Sequence, residues 1–77
     1  MTTQYNYNDM NYDFDITVTT EHDYLPETVR DIINLAANTW YALDDNFYTM
    51  GDWIRKVLDD FGCTVVNFTD NTEYNWQ

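Results

Sequence analysis

From Asn11 to Thr19 the chain alternates without a break. Tyr12, Phe14, Ile16 and Val18 fall on one side of an extended strand, and Asn11, Asp13, Asp15, Thr17 and Thr19 on the other. A period of two is the signature of a half-buried strand, because successive side chains leave opposite faces. Upstream, Tyr5 and Tyr7 alternate with Asn6 and Asn8, and Asn8-Asp9-Met10-Asn11 has the composition of a turn. The pattern predicts a hairpin joining residues 4 to 8 with 11 to 19. The period then changes. After Leu25-Pro26, with proline suited to a first helical turn, Val29, Ile32, Ile33, Ala36, Trp40 and Leu43 recur at helical spacing and predict a helix over about 26 to 43. Asp44-Asp45-Asn46 interrupts it. Thr49 followed by Asp52 approximates a capping box, and Trp53, Ile54, Val57, Leu58 and Phe61 form one apolar face of a second helix, about 50 to 61.

Gly62 is placed to end that helix in a left-handed residue, and Cys63-Thr64-Val65-Val66-Asn67-Phe68 reads as a further strand. Apolar residues on both of its faces point to an inner or covered position in the sheet. The order is β(β)ααβ, an α+β domain of two layers in which a small antiparallel sheet is covered on one face by a helical hairpin. A chain of 77 residues has room for one core. Residues 1–77 are accordingly expected as a single domain, with about 69–77 as a flexible or partly ordered tail.

Composition changes the picture through charge. Fourteen acids face three bases, a formal net of -11, beyond the magnitude of about 2 to 8 usual for a small soluble domain. Eleven of the acids are Asp, nine residues are Asn, and Lys56 is the single lysine. Surface positions that commonly carry lysine carry Asn, Asp or Thr. The aromatic content, seven Tyr, four Phe and three Trp, is far above that of disordered acidic tails and argues for a folded core. Neither a signal-peptide pattern nor an apolar run of about 20 residues is present, so no membrane is expected. The lone Cys63 fits a reducing, cytoplasmic compartment.

The inventory of reactive groups argues against an enzyme. His22 stands in a polar connection with no nucleophile or metal partner at a recognisable spacing, and Cys63 between a helix cap and a strand reads as a small buried residue. No catalytic residue and no cofactor is expected. Asp44, Asp45, Asn46 and Asp52 offer oxygen ligands, but counting from Asp44 or Asp45 gives neither the glycine at position six nor the glutamate at position twelve of an EF-hand loop. No metal site is assigned. With Arg55 and Lys56 flanked by acids there is no basic patch for direct nucleic-acid binding.

What remains is an acidic surface. Helical spacing sets Asp52 with Lys56, Arg55 with Asp59, Lys56 with Asp60, and Arg30 within reach of Glu27. The acids without a local base are Asp9, Asp13, Asp15, Glu21, Asp23, Asp44, Asp45, Asp70 and Glu73. Asp13 and Asp15 lie about 6.6 to 6.8 Å apart along a strand. One strand of a duplex carries a charge roughly every 3.4 Å of its axis along a winding path, so such a row approximates phosphates. Trp40, Trp53, Phe61 and Phe14 are expected in the core. Tyr5, Tyr7, Tyr74 and Trp76 are either sheet neighbours or interface anchors.

In size, in the acidic surplus around Asp13, Asp15, Asp44 and Asp45, and in its aromatic-rich core, the chain resembles the small acidic phage-encoded anti-defence proteins, among them anti-CRISPR and antirestriction DNA mimics. The likeness is one of composition. It implies a stoichiometric inhibitor that binds a host nuclease, a CRISPR effector or another basic nucleic-acid-binding protein, with these unpaired acids docking and the four aromatics at their edge as anchors. Three other classes share the charge pattern. They are a regulator of another basic protein, such as a polymerase regulator or antitoxin, a halophilic or structural virion protein, and an acidic cation-binding domain.

Overall fold

The computed structural model describes residues 2–20, 24–43 and 47–72. Five elements follow in the order β1 (Thr2–Asn8), β2 (Asp13–Thr20), α1 (Pro26–Tyr41), α2 (Met50–Asp60) and β3 (Cys63–Asp70). The three strands form one antiparallel sheet in the order β1-β2-β3. The fold is the α+β two-layer arrangement that the change of period predicts. β1 begins two residues earlier than the alternation suggested, and β3 extends through Asp70, so Thr69 and Asp70 belong to the sheet rather than to a tail. Residues 71 and 72 are fastened to β2 as well: the Asn71 amide donates to the Asp13 carbonyl at 2.8 Å and the Asp13 amide to the Thr72 hydroxyl at 2.9 Å. Residues 73–77 lie outside the described residues.

The strand with the clearest alternation lies at the centre of the sheet. Phe14, Ile16 and Val18 of β2 point into the core with Tyr5 of β1 and Cys63 of β3, and both helices close over them through Val29, Ile32, Ile33, Ala36, Ala37, Met50, Ile54 and Leu58. Full burial of a side chain such as Ile16 contributes about 1.5 to 3 kcal/mol. α1 starts at Pro26 without a side-chain cap and ends at Tyr41, two residues short of the periodic pattern. α2 starts where Thr49 predicts, its hydroxyl accepting from the Asp52 amide at 3.1 Å. Gly62 ends it at φ 79°, where a side chain would be strained.

Two expectations are overturned. β3 is an edge strand, not an inner one, and its two-sided apolar pattern has a different cause. The register with β2 shifts between Thr17 and Val18, so Val18 pairs with Val65 while Thr17 pairs with Asn67. The extra residue is Val66, 56% exposed, whereas Val65 packs on the core. Such a bulge breaks the period of two and turns an apolar side chain outward. Phe61 is not core either. It is 44% exposed at the end of α2, and its carbonyl accepts the Tyr24 hydroxyl at 2.9 Å. Trp40 and Trp53 do pack against the core, and both indoles have acceptors: the Tyr48 carbonyl at 2.8 Å and the Thr39 hydroxyl at 3.0 Å.

Candidate docking face

The helices occupy one face of the sheet, and no described helix or strand lies on the other. Apart from the exposed Val66 at the β3 bulge, the paired positions on that second face are polar. Register sets Thr2 by Thr19, Gln4 by Thr17, Asn6 by Asp15 and Asn8 by Asp13, and continues across β2 to Thr64, Asn67 and Thr69. Its charged side chains among these are Asp13 and Asp15. Arg30 lies on α1 and Arg55 and Lys56 on α2, so all three Lys and Arg residues of the chain stand in the helical layer. Lys56 binds Asp60 there at 3.1 Å, and the Arg55 guanidinium lies 5.0 Å from the Phe68 ring centroid.

Asp13 and Asp15 are held in place by amides. The Asn6 side-chain N–H2 donates to Asp13 Oδ1 at 2.9 Å and to Asp15 Oδ1 at 3.0 Å, and Asn71 donates to Asp15 Oδ2 at 2.7 Å. Asn8 in turn donates to Asn6 Oδ1 at 2.7 Å and fixes which way that amide points. An amide satisfies a carboxylate's lone pairs but leaves its charge in place, whereas a lysine would cancel it. Two carboxylates on the same side of one strand are therefore held without a neighbouring cation. Sequence alternation locates this pair; the bridging roles of Asn6 and Asn71 depend on register and carry no sequence signal of their own.

Asp9 belongs to a different structure. It sits in the β1-β2 turn, where Oδ1 accepts the backbone amides of Asn11 and Tyr12 at 2.7 and 2.8 Å and Oδ2 accepts the hydroxyls of Tyr7 and Tyr41 at 2.7 and 2.8 Å. The turn is closed further by the Asp9 amide donating to the Tyr12 carbonyl at 2.8 Å. Partial burial pushes the Asp9 carboxyl up, but the bonds from Tyr7, Asn11, Tyr41 and Tyr12 outweigh it and leave the group below its ordinary value. Tyr7 is raised by burial and then by its bond to Asp9. Tyr41 is raised chiefly by burial, with Asn11 opposing and Asp9 reinforcing the shift.

The expected docking residues thus separate. Asp13 and Asp15 share the uncovered face. Asp9 has its carboxylate oxygens committed to the hairpin and to Tyr41 of α1, and is not the open acid that its isolation from bases suggested. Asp70 pairs in register with Phe14 and lies toward the helical side, beside a groove of about 400 Å³ lined also by Tyr12, Phe14, Gly51, Asp52, Arg55 and Phe68. Gly51 permits that approach of helix to sheet, since a Cβ there would stand 3.2 Å from the Phe68 ring. Tyr5 is 7% exposed and packs in the core, so the sheet-neighbour reading holds for it and it offers no anchor. Tyr7 is half-buried and bonded to Asp9. Glu21, Asp23, Asp44, Asp45, Glu73, Tyr74 and Trp76, with His22, lie outside the described residues. The residue sequence reasoning passed over is Met10, fully exposed at the apex of the hairpin.

Among the described residues no cluster of three or more His, Cys, Asp or Glu side chains is placed to hold a metal ion. Burial pushes the Cys63 thiol up. No described helix is long and apolar enough to cross a membrane. No family model, curated protein or solved structure matches the chain.

Proposed function

We propose that the protein is a stoichiometric acidic inhibitor, acting in a host cell's cytoplasm, that binds the basic nucleic-acid-binding surface of a defence nuclease or CRISPR effector and presents carboxylates in place of phosphates. The observation that carries this reading is the segregation of charge. Asp13 and Asp15 stand on a sheet face free of Lys and Arg, ordered by neutral amides, while every Lys and Arg lies in the opposite layer. A fixed row of one sign steers a partner of the other sign and makes association fast and salt-sensitive. Met10 at the adjoining apex supplies the apolar contact that a purely electrostatic encounter lacks.

The test is competition. The protein is used as bait against purified CRISPR effectors and restriction nucleases at low and high salt, and each partner retained is titrated with duplex DNA. The reading expects a partner that is released by salt and by DNA, and an Asp13→Lys/Asp15→Lys variant that keeps its circular-dichroism spectrum but binds at least roughly tenfold more weakly, as charge reversal at a steered interface demands. A partner that DNA does not displace would indicate a regulator of some other basic protein. Unchanged affinity in the folded double variant would remove this face as the docking surface.

A further inference from the structure

We infer that the chain self-associates through the outer edge of β1, two copies pairing antiparallel so that their sheets continue as one of six strands. β1 is paired with β2 in unbroken register from Thr2↔Thr19 to Asn8↔Asp13, and among the described residues nothing pairs with its other side. Exposed edges are normally blunted by charge, proline or a bulge. β1, with the sequence TTQYNYN, has none of these, although the chain carries fourteen acids. The opposite edge is treated differently: β3 is bulged at Val66 and ends in Asp70. The unprotected edge is therefore β1.

Side-chain size selects a second copy as the occupant. The strand is small at its start, Thr2 and Thr3, and large at its end, Tyr7 and Asn8. Antiparallel pairing centred on Tyr5 sets Tyr7 beside Thr3 of the second copy and Asn8 beside Thr2, so large meets small at both ends, while Gln4 stands beside Asn6 and the two Tyr5 residues meet on the two-fold axis. Tyr7, half-buried in one copy, gains a neighbour on its open side. Charge permits the pairing. The β2 strands of the two copies lie three strand spacings apart, about 14 Å, beyond the Debye length of about 8 Å at physiological salt. A neutral edge gives a basic partner no electrostatic gain, which leaves the acidic face for that contact.

The two surfaces respond to salt with opposite sign, which separates this inference from the functional reading. Sedimentation equilibrium of the full chain is measured over a wide concentration range as NaCl rises from about 0.1 to about 1 M, shortening the Debye length from about 10 to about 3 Å. The expected result is a monomer-dimer equilibrium that tightens with salt. Gln4→Glu places a new pair of carboxylates at the joint and weakens the dimer roughly tenfold, two equivalent contacts being lost together. Val66→Glu, on the other edge, leaves it unchanged. Because Gln4→Glu could also disturb β1 itself, amide exchange of the unaltered protein provides a second measurement, in which β1 amides gain protection as protein concentration rises. A chain that remains monomeric throughout, or a dimer that responds to Val66→Glu and not to Gln4→Glu, overturns the proposal.

Discussion

Asp9 and Asp13 stand four residues apart in one hairpin and do opposite work. Asp9 gathers two backbone amides and two tyrosine hydroxyls, so its acceptor oxygens are committed within the protein, joining the turn to the last residue of α1 through Tyr41. Asp13, with Asp15, receives side-chain amides on an uncovered face and keeps its charge directed outward. The two differ in whether the fold depends on them. An acidic residue without a nearby base is not thereby an open acceptor, since hydrogen bonds from neutral donors can occupy its oxygens while leaving its charge in place.

The largest effect is expected at Asp9. Replacing Asp9 by Ala removes the acceptor for two turn amides and two phenols, and an expected loss of about 2 kcal/mol in urea denaturation follows from about 1 kcal/mol for each well-formed capping-type or hydrogen-bonded contact, reduced by solvent exposure. A loss below about 0.5 kcal/mol, the scale of an ordinary surface substitution, would make the turn independent of Asp9.

Tyr41→Phe sharpens the same contrast by deleting one donor, with an expected cost of about 1 kcal/mol. It also divides the pH dependence. Asp9 is held below its ordinary value, so its stabilisation is complete above about pH 4 and is lost as pH falls through the lower, folded-state value; Tyr7 and Tyr41 are raised, so theirs is complete below about pH 10 and is lost as pH rises beyond it. Thermal melts across pH should show both limbs in the unaltered protein, with a shallower alkaline limb in Tyr41→Phe. An unchanged alkaline limb would mean that the phenol is not bonded to the carboxylate.

The smallest effect is expected from Asp13→Asn with Asp15→Asn. Removing two like charges while keeping their size should leave stability within about 0.5 kcal/mol of the original, or slightly raise it, because like-charged neighbours on a sheet are unfavourable by a few tenths to one kcal/mol. A loss comparable to that of Asp9→Ala would make these acids structural as well, and the distinction between the two kinds of carboxylate would disappear.

How far the sequence carried these conclusions differs by element. β2 and both helices declare themselves, because the periods of Phe14-Ile16-Val18 and of Val29-Ile32-Ile33-Ala36 are set by the same faces that the core covers. The position of β3 does not, because Val65 and Val66 look alike in a sequence and only a register shift against Thr17 and Val18 turns one in and the other out. Tyr5 is hidden for a related reason: its neighbours Gln4 and Asn6 are polar, and its burial follows from its pairing with Ile16. The acidic face was legible as alternation, whereas the division between Asp9 and Asp13 depends on Tyr41, thirty-two residues from Asp9 along the chain.

The place of β2 between its neighbour in sequence and the distant β3 also has a kinetic side. The β1-β2 hairpin closes across four residues, with Asp9 bonding its turn, and hairpins of this kind form within about 1 to 10 μs. β3 can join only after a connection of roughly 40 residues, containing both helices, is closed at a greater entropic cost. The chain therefore has a local half and a distant half that meet on one strand. On topology alone, return of β3 by way of α1 and α2 is expected to be the slower of the two pairings.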